Sequence, residues 1–354
     1  MVLDYFKKEP LSGPEFQGPL LSILHISDLH FHDPHYTDNS RARVASRFLR
    51  ALDRHLEGWR ARYPKEKNLC ALFITGDITY QCQPEDFEKA KTLIKEILEQ
   101  TGIPGERLYV VPGEHDVYLR FVKNTDDTLQ FPDQETWNQF LRDERKGKSQ
   151  RIAGRFTAYI NFIRSLGAEF GTRMPCAASD FFYADVFSCQ DQKVAVLGLN
   201  SAWSCRCRLE ADRGMLCLGS YQVKEAYKRA KTINGGKDPE LVLSLLHHPA
   251  EWMKPGDQDA LRELSRVSHA VFRGHAHQGE SALSFGQSPI PVVSTSAWYG
   301  EDITPGFSVA AIDPPAKKLY LWPYLWYAPE NAFLPPQEHK PPLNDQAFSS
   351  FDLP

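Results

Sequence analysis

The chain has 354 residues, with 41 basic and 45 acidic side chains and a formal net charge of -4, which excludes a global positive field that would recruit nucleic acid or an anionic membrane. No run approaches the ~18 apolar residues of a membrane span, and residues 1–20 mix Lys7, Lys8 and Glu9 with Pro10, Pro14 and Pro19, which is not a secretory signal. The seven cysteines (Cys70, Cys82, Cys176, Cys189, Cys205, Cys207, Cys217) are an odd number without paired C-x-x-C spacing, so reduced thiols in a cytoplasmic protein are expected.

In chain order, Leu21 to Ser27 reads as a buried strand, and Ser40 to Tyr63 as a helix with Val44, Phe48, Leu52, Leu56 and Trp59 at helical spacing. Leu69 to Thr75 is a second strand. Pro84 opens a helix whose stripe, Phe87, Ala90, Leu93, Ile94, Ile97 and Leu98, runs to Gly102, and Leu108 to Val111 is a third strand. This alternation predicts right-handed crossovers and a largely parallel sheet with helices outside. Residues 118–175 change to charged helical sequence, read as a helical insertion. Strands resume at Phe181 to Phe187 and Val194 to Leu199, a helix spans Ser220 to Ile233, and Leu241 to Leu246 and Ala270 to Phe272 are further strands. Short strands follow near Ser281 to Phe285, Pro291 to Ser294, Phe307 to Ile312 and Lys318 to Trp326. The expected division is an N-terminal extension over 1–20, one domain over 21–327, and a proline-rich tail or linker over 328–354.

Five fragments follow these apolar runs: Asp28-Leu29-His30, Gly76-Asp77, Gly113-Glu114-His115-Asp116, His247-His248-Pro249 and Gly274-His275-Ala276-His277. Strand ends are where α/β folds place their sites. In an extended segment side chains at i and i+2 share a side, so Asp28 and His30 can grip one ion, and His275 and His277 can face it together. Carboxylates mixed with imidazoles suit borderline divalent metals, Mn, Fe, Zn, Co or Ni, rather than Ca or Mg.

Together, over Leu21 to Tyr327, the five fragments resemble the signature of calcineurin-like metallophosphoesterases. The resemblance implies an α/β fold: a four-layer α/β/β/α sandwich of two mixed sheets with the site on one edge. It implies two divalent transition metals. Asp28, His30 and His277 would hold one, Asp77 would bridge both, and Glu114, His247 and His275 would hold the second. His247 is preferred over His248 because it is the first His after its strand, which leaves His248 to line the pocket. The implied activity is phosphoester hydrolysis by in-line attack of a metal-bound hydroxide. His115 would protonate the leaving oxygen and Asp116 would orient its imidazole. His32, Asp33 and His35 are candidates to touch substrate, and Asn200 with Arg206 is a candidate to position phosphate. Trp203, Trp298 and Tyr299 are candidates to stack a base. Tyr80 makes a G-D-x-x-Y pattern similar to purple acid phosphatases, where that Tyr ligates iron. The second motif lacks the D-R-G continuation of the protein serine/threonine phosphatases, so phosphodiesters such as nucleotides or nucleic-acid ends are favoured over monoesters.

One position departs from the pattern: Glu114 stands where the family usually has Asn. A carboxylate there either binds the second metal more tightly while making it a weaker Lewis acid, or repels phosphate. The alternative function is therefore a catalytically weakened metal-binding sensory or regulatory domain. The stretches Gln83 to Phe87, Arg107 to Gly113 and Asn200 to Trp203 look like phosphoesterase domains at the front of larger defence-associated NTPase proteins.

Overall fold

The computed structural model describes residues 16, 20–33, 38–63, 69–119, 129, 131–174, 177, 179–189, 192–206, 210–275, 290–295, 298, 306–327, 332–334 and 349–354. The expected strand at Ser281 to Phe285, and His35, Cys207, His277 and Tyr299, lie outside them.

Strand β1 (Leu21–Ile26) is buried along its whole length, which is why it reads as a mainly apolar run, interrupted only by Ser22 and His25, rather than an alternating one. It pairs in parallel with β2 (Ala71–Thr75), which pairs in parallel with β3 (Leu108–Val111). On its other edge β1 meets β9 (Gly306–Asp313) antiparallel, and β9 meets β10 (Lys318–Tyr327). Two short strands from the tail, β11 (Ala332–Leu334) and β12 (Ser349–Asp352), both pair with β10. These tail residues therefore belong to the sheet instead of a free linker, with Phe333 and Leu353 buried.

The second sheet runs β4 (Tyr183–Cys189), β5 (Gln192–Gly198), β6 (Leu241–Leu245), β7 (Ala270–Arg273), β8 (Val292–Ser294), parallel from β5 onward. The sheets pack face to face. Phe272 of β7 sits edge-on to Phe73 of β2, ring centroids 4.9 Å apart, and the Tyr109 hydroxyl of β3 donates to Asp185 of β4 at 2.7 Å.

Helices cover the outer faces. Helix α1 (Asp38–Arg62) lays Phe48, His55 and Trp59 against Phe307, Tyr324 and Trp322 of the first sheet. Helix α2 (Pro84–Thr101) has Pro at its start and ends at Gly102 in the left-handed region (φ 71°), whose N–H donates to Leu98. The insertion supplies α3 (Gln134–Arg145), α4 (Arg151–Arg155) and α5 (Thr157–Phe170), with α5 packing on α2. Helix α6 (Ser220–Ile233) lies on β4 and β5, and beside it packs α7 (Gln258–Val267), a helix not among those expected. The result is the expected four layers. All five described cysteines are free, buried thiols. Among the described residues no helix is long and apolar enough to cross a membrane.

Candidate metal centre

The five motifs sit just beyond the C-terminal ends of β1, β2, β3, β6 and β7, so the parallel direction of these strands brings them to one edge. Backbone hydrogen bonds lock the ends together: Asp28 N donates to Gly76 O and His30 N to Asp77 O, both at 3.0 Å. Two contacts cross between the sheets. His275 N donates to Asp28 Oδ2 at 3.1 Å, and His247 Nδ1 lies 2.6 Å from Thr75 O.

Of the seven non-glycine residues with positive φ among those described, four are Asp28 (53°), His30 (46°), Asp77 (51°) and His275 (67°). Such a conformation costs about 1–3 kcal/mol in a side-chain-bearing residue and persists where surrounding contacts over-determine it. Gly76 has φ 97°, and a Cβ there would meet His247 Nδ1 at 2.6 Å. Glycine is thus required twice over at that turn.

Asp77 Oδ2 occupies the middle, 3.5 Å from His30 Nε2 and 3.3 Å from His247 Nε2, while its Oδ1 accepts from His115 N at 2.8 Å. Glu114 reaches three imidazoles: Oε2 is 2.8 Å from His247 Nε2 and 3.0 Å from His248 Nε2, and Oε1 is 2.9 Å from His275 Nδ1. Three groups of possible ligand atoms form, each within 4.8 Å: Asp28, Asp77 and His247; His30, Asp77 and His115; and Glu114, His247, His248 and His275.

These residues fit divalent metal. Asp28, Asp77 and Glu114 are buried carboxylates, which is costly without compensating charge. The buried Asp77 Oδ2 and His247 Nε2 have no hydrogen-bond partner among the described residues. The carbonyl of Thr75 can only accept, so His247 Nδ1 carries a proton and Nε2 is the end that faces Asp77 and Glu114. Burial alone would lower the His247 pKa, yet the charges of Asp77 and Glu114 raise it well above the ordinary value. Asp77 itself is pushed up by burial and by Glu114, but the imidazoles of His247 and His115 more than reverse this and hold it below the usual carboxylate range.

His115 is half-buried, with Nδ1 2.8 Å from Tyr80 O. The Tyr80 ring stacks on the imidazole at 5.0 Å and 29°. Nδ1–H is therefore donated to a carbonyl, which fixes the tautomer of the ring. Tyr80 acts on His115 through both its backbone and its ring, a role the sequence does not display.

The structure places several of the expected residues in other contacts. Asp116 does not orient His115: its Oδ1 accepts from Thr79 N at 3.0 Å and its Oδ2 from Ile78 N at 3.2 Å and Gly113 N at 3.0 Å, so it staples the second motif to the third. The reason is the 3-10 turn Glu114–Asp116, which sends successive side chains ~120° apart. Burial and the Asp77 charge push Asp116 up to about 7, against those backbone amides. Asn200 is buried and caps its own loop, with Oδ1 accepting from Ala202 N at 2.9 Å, so it is not presented to phosphate. His248 is fully buried and does not line an open pocket. His32 is exposed and paired with Asp86 at 3.0 Å, and the Arg206 amide is tied to Asp212. Asp33 is buried, and its amide donates to His30 O. Trp203 and Trp298 are core residues, packed against Phe140 and Phe48.

Unforeseen neighbours are Ser201, at the start of the loop after β5, and Trp252, whose ring lies 4.1 Å from that of His275. The insertion supports Ser201 indirectly, because Arg155 of α4 donates to Cys205 O at 2.6 Å and to Trp203 O at 3.3 Å.

A family profile described as calcineurin-like phosphoesterase matches residues 21–279. The metallophosphoesterase-like protein YydB of Bacillus subtilis (strain 168) is 22% identical over 323 residues, covering 86% of this chain and 59% of its own, so this chain spans little more than half of that relative. Among solved structures, sulfate thiohydrolase SoxB of Thermus thermophilus in complex with glycerol is 13% identical, with TM-score 0.45, covering 93% of this chain and 59% of that one. Phosphopantetheinyl hydrolase from Mycobacterium tuberculosis is 12% identical, with TM-score 0.38, covering 78% and 89%.

Proposed function

Since this chain belongs to the calcineurin-like phosphoesterase family, we propose that it is a metal-dependent phosphodiesterase, with nucleotides or nucleic-acid ends as its substrate class. Residues 21–327 form its catalytic domain, and the insertion over 118–175 braces the loop behind the metal centre.

One observation carries the reading: Asp28, His30, Asp77, Glu114, His247 and His275 converge at strand ends from both sheets, beside a His115 whose Nδ1 is held by the Tyr80 carbonyl. In this reading Asp28, His30 and His277 would hold one divalent metal and Glu114, His247 and His275 the other, with Asp77 shared between the two. Two such metals supply Lewis acidity toward the phosphoryl oxygens and make water a nucleophile at neutral pH. His115 holds the proton for the leaving oxygen at Nε2, its plane set by the Tyr80 ring and its tautomer by the Tyr80 carbonyl. Three buried carboxylates line the centre, so a monoanionic diester meets less repulsion than a dianionic monoester. The test is turnover of Mn-loaded protein on bis(4-nitrophenyl) phosphate, 4-nitrophenyl phosphate and a cyclic nucleotide. Faster hydrolysis of the monoester than of both diesters would overturn the assignment.

Glu114 favours one second reading, a metal-binding sensory or regulatory domain, because its charge weakens the electrophilicity of whatever it ligates. Two metals per chain with no hydrolysis of any of the three esters would select it.

A further inference from the structure

The two consecutive histidines after β6 are chemically different, and the difference lies in Ser201. Ser201 Oγ accepts the backbone N–H of both His247, at 3.2 Å, and His248, at 3.0 Å. A hydroxyl has two acceptor positions and one proton. Both acceptor positions are filled, so the proton goes to the remaining contact, His248 Nδ1 at 3.0 Å. His248 Nδ1 therefore accepts, and its ring proton sits on Nε2, the reverse of His247.

That Nε2–H lies 3.0 Å from Glu114 Oε2 and 3.8 Å from Cys205 Sγ, with the whole side chain buried. A nitrogen that carries a proton cannot ligate a metal through the same atom. His248 thus falls within ligand distance of its neighbours without being a ligand. We propose that His248 is a positioning residue: with its tautomer set by Ser201, it presents a proton to Glu114 and holds that carboxylate where the chain has Glu in place of the usual Asn. This rests on the reading of Glu114 as a ligand of the second metal. The logic is that of a buried partner orienting a metal-ligating carboxylate, whose loss typically costs 10–100-fold in metal affinity.

The experiment measures Co(II) binding to the full chain by calorimetry, with the cobalt absorption spectrum as a second readout, and thermal melts to check folding. His248→Leu is expected to weaken the second Co(II) by ~10–100-fold, and His248→Gln, whose amide can still donate, to restore most of it. In a Glu114→Gln background, His248→Leu should add little, because its target charge is gone. Ser201→Ala leaves the ring in place but frees its tautomer, and should show the same dependence on Glu114; it serves if His248→Leu does not fold. Equal losses in both backgrounds, or a Gln variant as weak as the Leu variant, would overturn the inference. If Glu114→Gln alone leaves the second Co(II) unchanged, the ligand assignment itself fails.

Discussion

His55 gives the fold a sensitivity to acid that can be separated from the metal centre. Its ring is buried between α1 and β10, stacked on Trp59, edge-on to Trp322 and 2.5 Å from the Tyr324 hydroxyl through Nδ1. Burial lowers its pKa from 6.5 to about 3. His25, edge-on to Phe272 inside the sandwich, is lowered to about 3 by burial, with the Asp28 charge opposing. A histidine with a folded pKa below its unfolded value takes up its proton only on unfolding. Stability is therefore full above about pH 6.5 and falls as pH drops toward 3. At pH 5 each histidine has used ~1.5 units of that window, ~2 kcal/mol at 1.36 kcal/mol per unit. The pair then costs ~4 kcal/mol of a total that is typically ~5–15 kcal/mol. The assay is urea unfolding at pH 7.5 and pH 5, with chelator present throughout so that metal release does not enter. His55→Phe should be less stable at pH 7.5, because Tyr324 loses its partner, yet its drop between the two pH values should be ~2 kcal/mol smaller than that of the parent. Identical drops would refute the reasoning, since they would mean that His55 does not titrate on unfolding.

Three further outcomes test the site. Asp77→Asn should reduce bound Mn from two per chain to one or fewer by equilibrium dialysis, because Asp77 Oδ2 stands between His30 and His247; two retained metals would show that Asp77 is not the bridge. His115→Ala should slow an alkyl diester by ~10²–10⁴ but a nitrophenyl diester by far less, whereas Asp116→Ala should depress both alike and lower the melting temperature, since Asp116 touches backbone and not the imidazole. Glu114→Asn should lose the second metal and with it turnover, because a side chain one methylene shorter cannot span His248 and His275 as Glu114 does, at 3.0 and 2.9 Å; faster turnover with both metals retained would mark the carboxylate as an impediment.

The core strands were legible because they are buried on both faces. Leu21–Ile26, Ala71–Thr75 and Leu241–Leu245 read as mainly apolar, non-alternating runs that stop where a polar motif starts. Helix α7 was not read, although Ala260, Leu261, Leu264 and Val267 fall at helical spacing, because the stretch is only ten residues long and lies between two strand-end motifs. The tail strands were hidden for a different reason. Ser349–Asp352 is polar in three of four positions, and what makes it a strand is the open edge of β10, from Lys318 to Leu321, a property of its partner.

At the metal centre the residue types were legible and their orientations were not. Which of His247 and His248 faces the metals is invisible in a pair of identical letters; it follows from Thr75 offering a carbonyl to one Nδ1 and Ser201 a hydroxyl to the other. The same holds for His115, the proposed proton donor. The neighbour of His115 in the motif is a carboxylate, but the group that meets its Nδ1 is the Tyr80 carbonyl, contributed by a loop 35 residues earlier. A carbonyl and a carboxylate in that position differ in kind: a carbonyl fixes the tautomer without adding charge, so the imidazole keeps a proton it can release. Asp116 is thereby free to hold the two motif loops together, and the stiffness of the turn that presents His115 and the reactivity of its Nε2 are set by different groups.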